Sequence, residues 1–249
     1  MTTYGLIGYP LGHSFSRQFF TEKFAKEGID AQYLNFEIPS IEEFPNIIKN
    51  NPTLRGLNVT IPYKQQVMQY LDDISEEAKA IGAVNVVKCK LSTVNCQLHL
   101  TGYNSDVIGF VESIKPLLKP HHKKALILGT GGASKAIRYG LEKKLGMKTL
   151  FVSRSAREGM ITYEEVTAEV LKEYEVIVNC SPVGMYPHVD ECPALPYEAL
   201  NENNLLYDLV YNPLETLFMK KGAAQGATVK DGLEMLHLQA IASWDFWEK

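Results

Sequence analysis

Residues 125–134, ALILGTGGAS, constrain the fold more than any other stretch of the chain. Four apolar residues, Ala125 to Leu128, stop at a cluster of glycines, and helical spacing (Ala133, Ala136, Ile137, Leu141) starts at once. That order predicts a strand, a tight turn and a helix, the opening of a dinucleotide-binding βαβ unit. Gly129 lets the chain turn sharply, while Gly131 and Gly132 keep side chains away from an approaching pyrophosphate. Thr130 and Ala133 complete the turn, and the helix then aims its free N–H groups and positive end at the phosphates. The strict pattern has a third glycine at position 134, where this chain has Ser134. Taken alone, the stretch also suits a strand-to-helix turn with no ligand.

The next apolar run, Thr149 to Val152, ends in Ser153, Arg154 and Ser155, with Arg157 close behind. A site for NAD would usually place an acid there, about 20 residues past the glycines, to bind the ribose hydroxyls. A guanidinium instead suits a 2′-phosphate, because its planar fork donates two charge-assisted hydrogen bonds. Two solvated arginines would look the same in isolation. Following the glycine turn, they favour NADP over NAD.

A chain of 249 residues forms one large domain or two modest ones. Its net charge of −4 argues against a nucleic-acid or anionic-membrane partner. Met1 to Ser14 has no basic segment leading into a long apolar run, and no stretch reaches membrane-spanning length, so a cytoplasmic protein is expected. Cys89, Cys96, Cys180 and Cys192 lack metal-ligand spacing, and no metal is expected. Cys89 and Cys96 would face each other across a hairpin, but reduced thiols fit a cytoplasmic protein better.

In chain order, Tyr4 to Gly8 predicts a buried strand. Phe19, Phe20 and Phe24 follow on one helical face, closed by Gly28. Tyr33 to Ile38 is a second strand. Ser40 and Glu43 predict a capping box for a helix carrying Ile41, Phe44, Ile47 and Ile48, with Pro45 in tension with it. Leu54 to Thr60 is a third strand, and Pro62 suits the first turn of a helix lined by Tyr63, Val67, Tyr70 and Leu71. Ala83–Lys88 and Cys96–Leu100 read as strands joined by a turn at Ser92–Asn95. A helix from Asn104-Ser105-Asp106 bridges to the glycine-rich unit. Strands at Val176–Asn179, Leu205–Val210 and Ala227–Val229, separated by helical patterns, argue for a parallel, doubly wound sheet. A last helix covers Gly232 to Trp247.

Several polar residues stand at strand ends and helix starts, where α/β domains place ligands. Ser14 and Ser16 could donate to a carboxylate or cap a helix. Alternation puts Asn58 and Thr60 on one face of their strand. Lys64 falls in the expected first helical turn, where a cation is disfavoured by roughly 0.3–1 kcal/mol. A buried amine there would exchange a proton near neutral pH, with Asp106 as the natural partner. A solvated Lys64 and an N-capping Asp106 are the alternative.

Eight motifs then occur in order: H-S-x-S (13–16), N-V-T-x-P-x-K (58–64), G-A-V-N (82–85), G-x-N-x-D (102–106), G-x-G-G-A-S (129–134), P-V-G-M (182–185), D-L-V-Y-N-P (208–213) and D-G-L-x-M-L-x-x-Q (231–239). Together, from about Gly5 to Gln239, they resemble the shikimate dehydrogenases. The resemblance implies NADPH-dependent, reversible reduction of 3-dehydroshikimate to shikimate, a step of aromatic amino acid biosynthesis. It implies an α/β substrate domain (1–104), a Rossmann-type NADP domain (105–230) across a cleft, and a C-terminal helix (231–249) returning to the first domain. Carried over residue by residue, Lys64 exchanges the proton, and Asp106 is its partner and a substrate ligand. Ser14, Ser16 and Tyr211 hold the substrate carboxylate, and Asn58, Thr60, Asn85 and Gln239 the ring hydroxyls. Gly129, Thr130, Gly131, Gly132 and Ala133 cradle the pyrophosphate. Ser153, Arg154 and Arg157 form the loop at the 2′-phosphate, with Leu209 and Gly232 at the nicotinamide. The expected partner is a small-molecule substrate, and the expected state a monomer or homodimer.

Two departures stand out. Arg17 follows H-S-x-S where similar enzymes have proline, and the cofactor loop reads Ser153-Arg154-Ser155 rather than N-R-T, with Arg157 one place early. An NAD-using quinate/shikimate dehydrogenase and a non-catalytic NADP-binding sensor are the competing readings. Tyr139 to Lys143 has the Tyr-x-x-x-Lys spacing of short-chain dehydrogenases, but it lies on the helix directly after the glycine turn and reads as helix surface.

Overall fold

A computed structural model describes residues 1–12, 15–91 and 98–249. Ser14, Cys96 and the turn at 92–95 lie outside them. The chain divides into two compact units, one of Met1–Ser105 with Ala240–Lys249 and one of Asp106–Gln239.

The first unit begins with β1 (Thr2–Gly8), α1 (Phe15–Glu27) and β2 (Ala31–Glu37). A 3-10 turn at Ile41–Glu43 precedes α2 (Phe44–Asn50) and β3 (Leu54–Val59). After a second 3-10 helix (Gln66–Tyr70) come β4 (Asp73–Ile74), α3 (Glu76–Ile81), β5 (Val86–Leu91) and β6 (Leu98–Tyr103). The sheet order is β2-β1-β3-β5-β6-β4. β1 runs parallel to β2 and β3, whereas β5 is antiparallel to β3 and β6. Mixed pairing follows from the connections: β5 and β6 are close enough in sequence for a hairpin, while parallel neighbours need a crossover. One face buries Ile7, Leu57, Val67, Val84 and Val87. The other buries Tyr4, Phe20, Phe24 and Tyr33 with Ala240 and Trp247. Trp247 donates its indole N–H to the Val87 carbonyl at 3.1 Å, so its polar edge is satisfied inside an aromatic cluster.

Two local expectations change here. Ser40 does not form a capping box with Glu43; its hydroxyl accepts from Glu42 N–H, and a 3-10 turn forms first. The α-helix starts one turn later because Pro45 is tolerated only in a first turn. Lys64 is not in a helix. Residues 61–65 form turns, and only a 3-10 helix follows, at Gln66–Tyr70. The Tyr63 N–H returns to the Thr60 carbonyl at 2.9 Å, and the buried Tyr63 ring reaches across to donate to the Ile38 carbonyl at 2.6 Å. That anchoring sets the path of the chain, and the helix-dipole argument for Lys64 falls away.

The second unit contains α4 (Asp106–Ile114), β7 (Lys124–Leu128), α5 (Gly132–Tyr139), β8 (Lys148–Ser153) and β9 (Met160–Thr162). It continues through α6 (Ala168–Glu173), β10 (Val176–Asn179), β11 (Leu205–Asp208), α7 (Leu217–Ala224) and β12 (Thr228–Lys230). The helix α8 (Leu233–Glu248) starts in this unit and ends among the residues of the first. All pairings are parallel, in the order β12-β11-β10-β7-β8-β9. The direction of winding reverses between β7 and β10, which is the Rossmann order and places the ligand crevice beyond the carboxyl ends of those strands. Ala125 to Leu128 are fully buried, as a central strand covered on both faces requires. Among the described residues, no helix is long and apolar enough to cross a membrane.

Candidate active site

The nucleotide-binding half is built from the ends of β7 and β8. Gly129 has φ +99°, a conformation that costs glycine nothing, and its N–H bonds the Val152 carbonyl at 3.0 Å. Gly131 caps α5 and is exposed; a Cβ there would meet no atom within 4 Å, so the surface above the turn is open. Ser134, at the expected third glycine, is fully buried and donates its hydroxyl to the Gly131 carbonyl at 2.7 Å. The serine therefore braces the turn from below and leaves its upper face clear. Thr130, Gly132 and Ala133 are half-buried around it. Pairing Leu128 with Val152 brings Ser153 and Arg154 level with the glycine turn. Ser153 is buried and its hydroxyl accepts from Ser155 N–H at 3.4 Å, while Arg154 and Arg157 are exposed. An open anion cradle at a helix N-terminus, with guanidinium groups on the neighbouring strand end, fits a 2′-phosphorylated dinucleotide.

The far side of the same sheet end is held by two backbone segments. Gly232 is buried, and a Cβ on it would overlap the Leu209 carbonyl. The Gly232 N–H also bonds the Val210 carbonyl at 3.2 Å. The D-L-V-Y-N-P and D-G-L-x-M-L-x-x-Q motifs thus meet, bringing Leu209 and Gly232 together. Tyr211 is half-buried, and burial pushes its hydroxyl above the usual range. Beneath this segment lies Asp208, fully buried. Its carboxylate accepts from Val210 N–H at 3.0 Å, the Asn179 amide at 3.0 Å and the Thr216 hydroxyl at 2.7 Å. Burial nevertheless pushes Asp208 up to about 6, against those hydrogen bonds. Asp106 is the first residue of α4 and is buried. One turn on, Gly109 lets α4 approach α8 closely at Met235 and Gln239. Gln239 is buried and donates to the Leu236 carbonyl at 3.1 Å.

In the first unit, three motifs converge at the head of β5. The Val84 N–H donates to the Lys64 carbonyl at 2.7 Å, the Val59 N–H to the Asn85 carbonyl at 2.9 Å, and the Asn104 amide to the Ala83 carbonyl at 3.0 Å. Thr60 and Lys64 are half-buried, whereas Asn58 and Asn85 are buried. The Tyr33 hydroxyl donates to Asn58 Oδ1 at 2.8 Å, and Ser16 hydrogen-bonds the Tyr33 phenol. Asn58 Nδ2 donates to Ser243 Oγ at 2.9 Å, and Asn85 Nδ2 to Ser105 Oγ at 3.0 Å.

Sequence reasoning passed over Asp208, Ser105, Ser243 and Tyr33. Asp208 carried a signal, an acid at a strand end inside a quoted motif. Ser105 sits inside G-x-N-x-D. Ser243 lies in no motif, and only the packing of α8 reveals it.

A parallel sheet with a glycine turn and a basic strand end, joined to a separate α/β unit of buried amides and a lysine, defines a dinucleotide-dependent oxidoreductase with its own substrate-binding domain. The family described as shikimate dehydrogenase substrate binding domain matches residues 6–87. Over nearly the whole chain, the shikimate dehydrogenase (NADP(+)) of Methanococcus maripaludis is 35% identical, the match covering 98% of this chain and 90% of that one. The enzyme of the same name from Caldanaerobacter subterraneus is 36% identical with the same coverage. The crystal structure of shikimate 5-dehydrogenase from Thermus thermophilus, in complex with NADP(H) and shikimate, matches with a TM-score of 0.84 at 31% identity, covering 99% of this chain and 93% of that one. The chain belongs to the shikimate dehydrogenase family.

Proposed function

We propose that this protein is an NADP-dependent shikimate dehydrogenase that interconverts 3-dehydroshikimate and shikimate in aromatic amino acid biosynthesis. The observation that carries the reading is the occurrence, in one chain, of the open glycine turn and Arg154 with the motif residues Lys64, Asn85 and Asp106. Chain-length similarity to enzymes of that name supports it.

The glycine turn and Arg154 would hold NADPH, which would supply the hydride that reduces the substrate carbonyl. As the carbonyl oxygen gains negative charge, the Lys64 ammonium gives it a proton and its positive charge lowers the barrier. In the reverse direction the neutral amine takes the hydroxyl proton. Asp106 is assigned as a substrate ligand. Ser14, Ser16 and Tyr211 bind the carboxylate, and Thr60, Asn85 and Gln239 bind ring hydroxyls. Gly129 to Ala133 hold the pyrophosphate through backbone N–H groups. Arg154, with Ser153 and Arg157 in the same loop, meets the 2′-phosphate. Leu209 and Gly232, whose backbones pack against each other, would face the nicotinamide. The free thiols of Cys89, Cys180 and Cys192 suit work in a reducing cytoplasm.

Steady-state assays of the purified protein with shikimate or quinate, each with NADP or NAD, test the proposal. Shikimate with NADP should give the highest kcat/KM. Protein that binds NADPH but turns over neither acid would be a sensor, and a preference for quinate with NAD would reassign the enzyme.

A further inference from the structure

The buried amides of the first unit are tied together by two hydroxyls that no quoted role explains. Ser105 grips Asn85 at both ends of its amide: its backbone N–H donates to Asn85 Oδ1 at 2.6 Å, and its Oγ accepts from Asn85 Nδ2 at 3.0 Å. Such a two-point grip fixes which way the amide faces. Ser105 Oγ lies 3.1 Å from Ser243 Oγ, and both serines are fully buried. Ser243 is held in turn by Asn58 Nδ2 at 2.9 Å, and Asn58 by the Tyr33 hydroxyl at 2.8 Å. Burial holds Tyr33 well above its ordinary value, so the phenol stays a neutral donor at every working pH.

The polarity of this chain is fixed from one end. Tyr33 donates to Asn58 Oδ1, which leaves the Asn58 amide nitrogen to face Ser243. The second Asn58 N–H points to the Asn85 carbonyl at 3.4 Å. Both hydrogens of the Asn58 amide are therefore spent inside the protein.

We propose that Ser243 is a positioning residue for Asn85, acting through the Ser105 hydroxyl, and that the Asn58 amide serves to hold Ser243 rather than to bind substrate directly. The inference rests on the shikimate dehydrogenase reading, in which Asn85 meets a ring hydroxyl. It adds α8, through a residue outside every motif, to the determinants of substrate affinity. A Ser105 hydroxyl that loses Ser243 turns to another partner or to water and slackens its hold on Asn85 Nδ2, so the Asn85 amide is no longer fixed toward the ring.

Kinetics of the full-length Ser243→Ala enzyme test this. Loss of one buried hydrogen bond predicts a shikimate KM about 5- to 10-fold above the parent, with kcat and the dissociation constant of NADPH within about twofold. In an Asn85→Ala background, Ser243→Ala should add nothing further to the shikimate KM, because its effect passes through Asn85. A merely structural serine would lower the melting temperature and the active fraction, and so kcat, while leaving KM at the parental value. That result, or additive effects of the two substitutions, overturns the inference. If Ser243→Ala does not fold, Ser105→Ala gives the same readout, with a KM rise at least as large expected and an unchanged KM overturning it. A parent enzyme that neither binds nor oxidises shikimate overturns the functional reading and the inference with it. An active parent beside an unaltered Ser243→Ala variant overturns the inference alone.

Discussion

The carbonyl of Leu209 occupies the space that any side chain on Gly232 would need. The obstructing atom is backbone, so no rotamer change relieves the overlap, and one of the two segments must move. Both segments are proposed to face the nicotinamide. Gly232→Ala should therefore cost about 1–3 kcal/mol of stability, the range for overpacking, and raise the dissociation constant of NADPH. Thermal melts with a fluorescence titration of NADPH check this; unchanged affinity would separate the two segments from the cofactor.

Arg154 stands exposed at the end of β8, beside the glycine turn. Charge-assisted hydrogen bonds of about 1.5–3 kcal/mol to a 2′-phosphate correspond to roughly 10- to 100-fold in kcat/KM. Arg154→Ala should lose that factor with NADP and change little with NAD. Measuring both cofactors on the same preparation decides it, since an equal loss with each would assign Arg154 to some other task.

Asp208 gives the stability a pH dependence of definite sign. Burial raises its pKa from 3.8 to about 6, so its contribution is fully present below about 3.8 and is lost as pH rises through about 6. The loss is on the order of 3 kcal/mol. Asp208→Asn keeps an oxygen acceptor for Val210 and Asn179 but has no charge to bury. The melting temperature of the variant relative to the parent should rise between pH 4 and pH 7 (about the span of the titration). A difference that stays flat over that range would mean that burial leaves the Asp208 pKa at its ordinary value.

The second unit was largely legible in the sequence because its strands are short, wholly apolar runs that end in glycine or polar residues. Ala125–Leu128 and Val176–Asn179 are such runs, and both are strands. The short strands β4 and β9 escaped notice. Asp73–Ile74 and Met160–Thr162 are too brief to show a period, and they form because a neighbour offers an edge. Around Lys64 local propensity gave way to tertiary anchoring: Pro62 suits a helix start, but burial of Tyr63 and its bond to Ile38 hold the chain in turns. In the first unit the motifs marked Asn58 and Asn85 but not the hydroxyls between them. A hydrogen-bond relay across positions 33, 58, 85, 105 and 243 leaves no periodic trace in a sequence.

The central claim is that Lys64 exchanges the proton, and the most direct measurement compares turnover of Lys64→Ala with that of the parent at saturating shikimate and NADP, alongside NADPH affinity. The account predicts a fall in kcat of about 10²- to 10⁴-fold, the worth of a positioned acid–base group, with NADPH binding essentially unchanged. Equal turnover in the two proteins would contradict it.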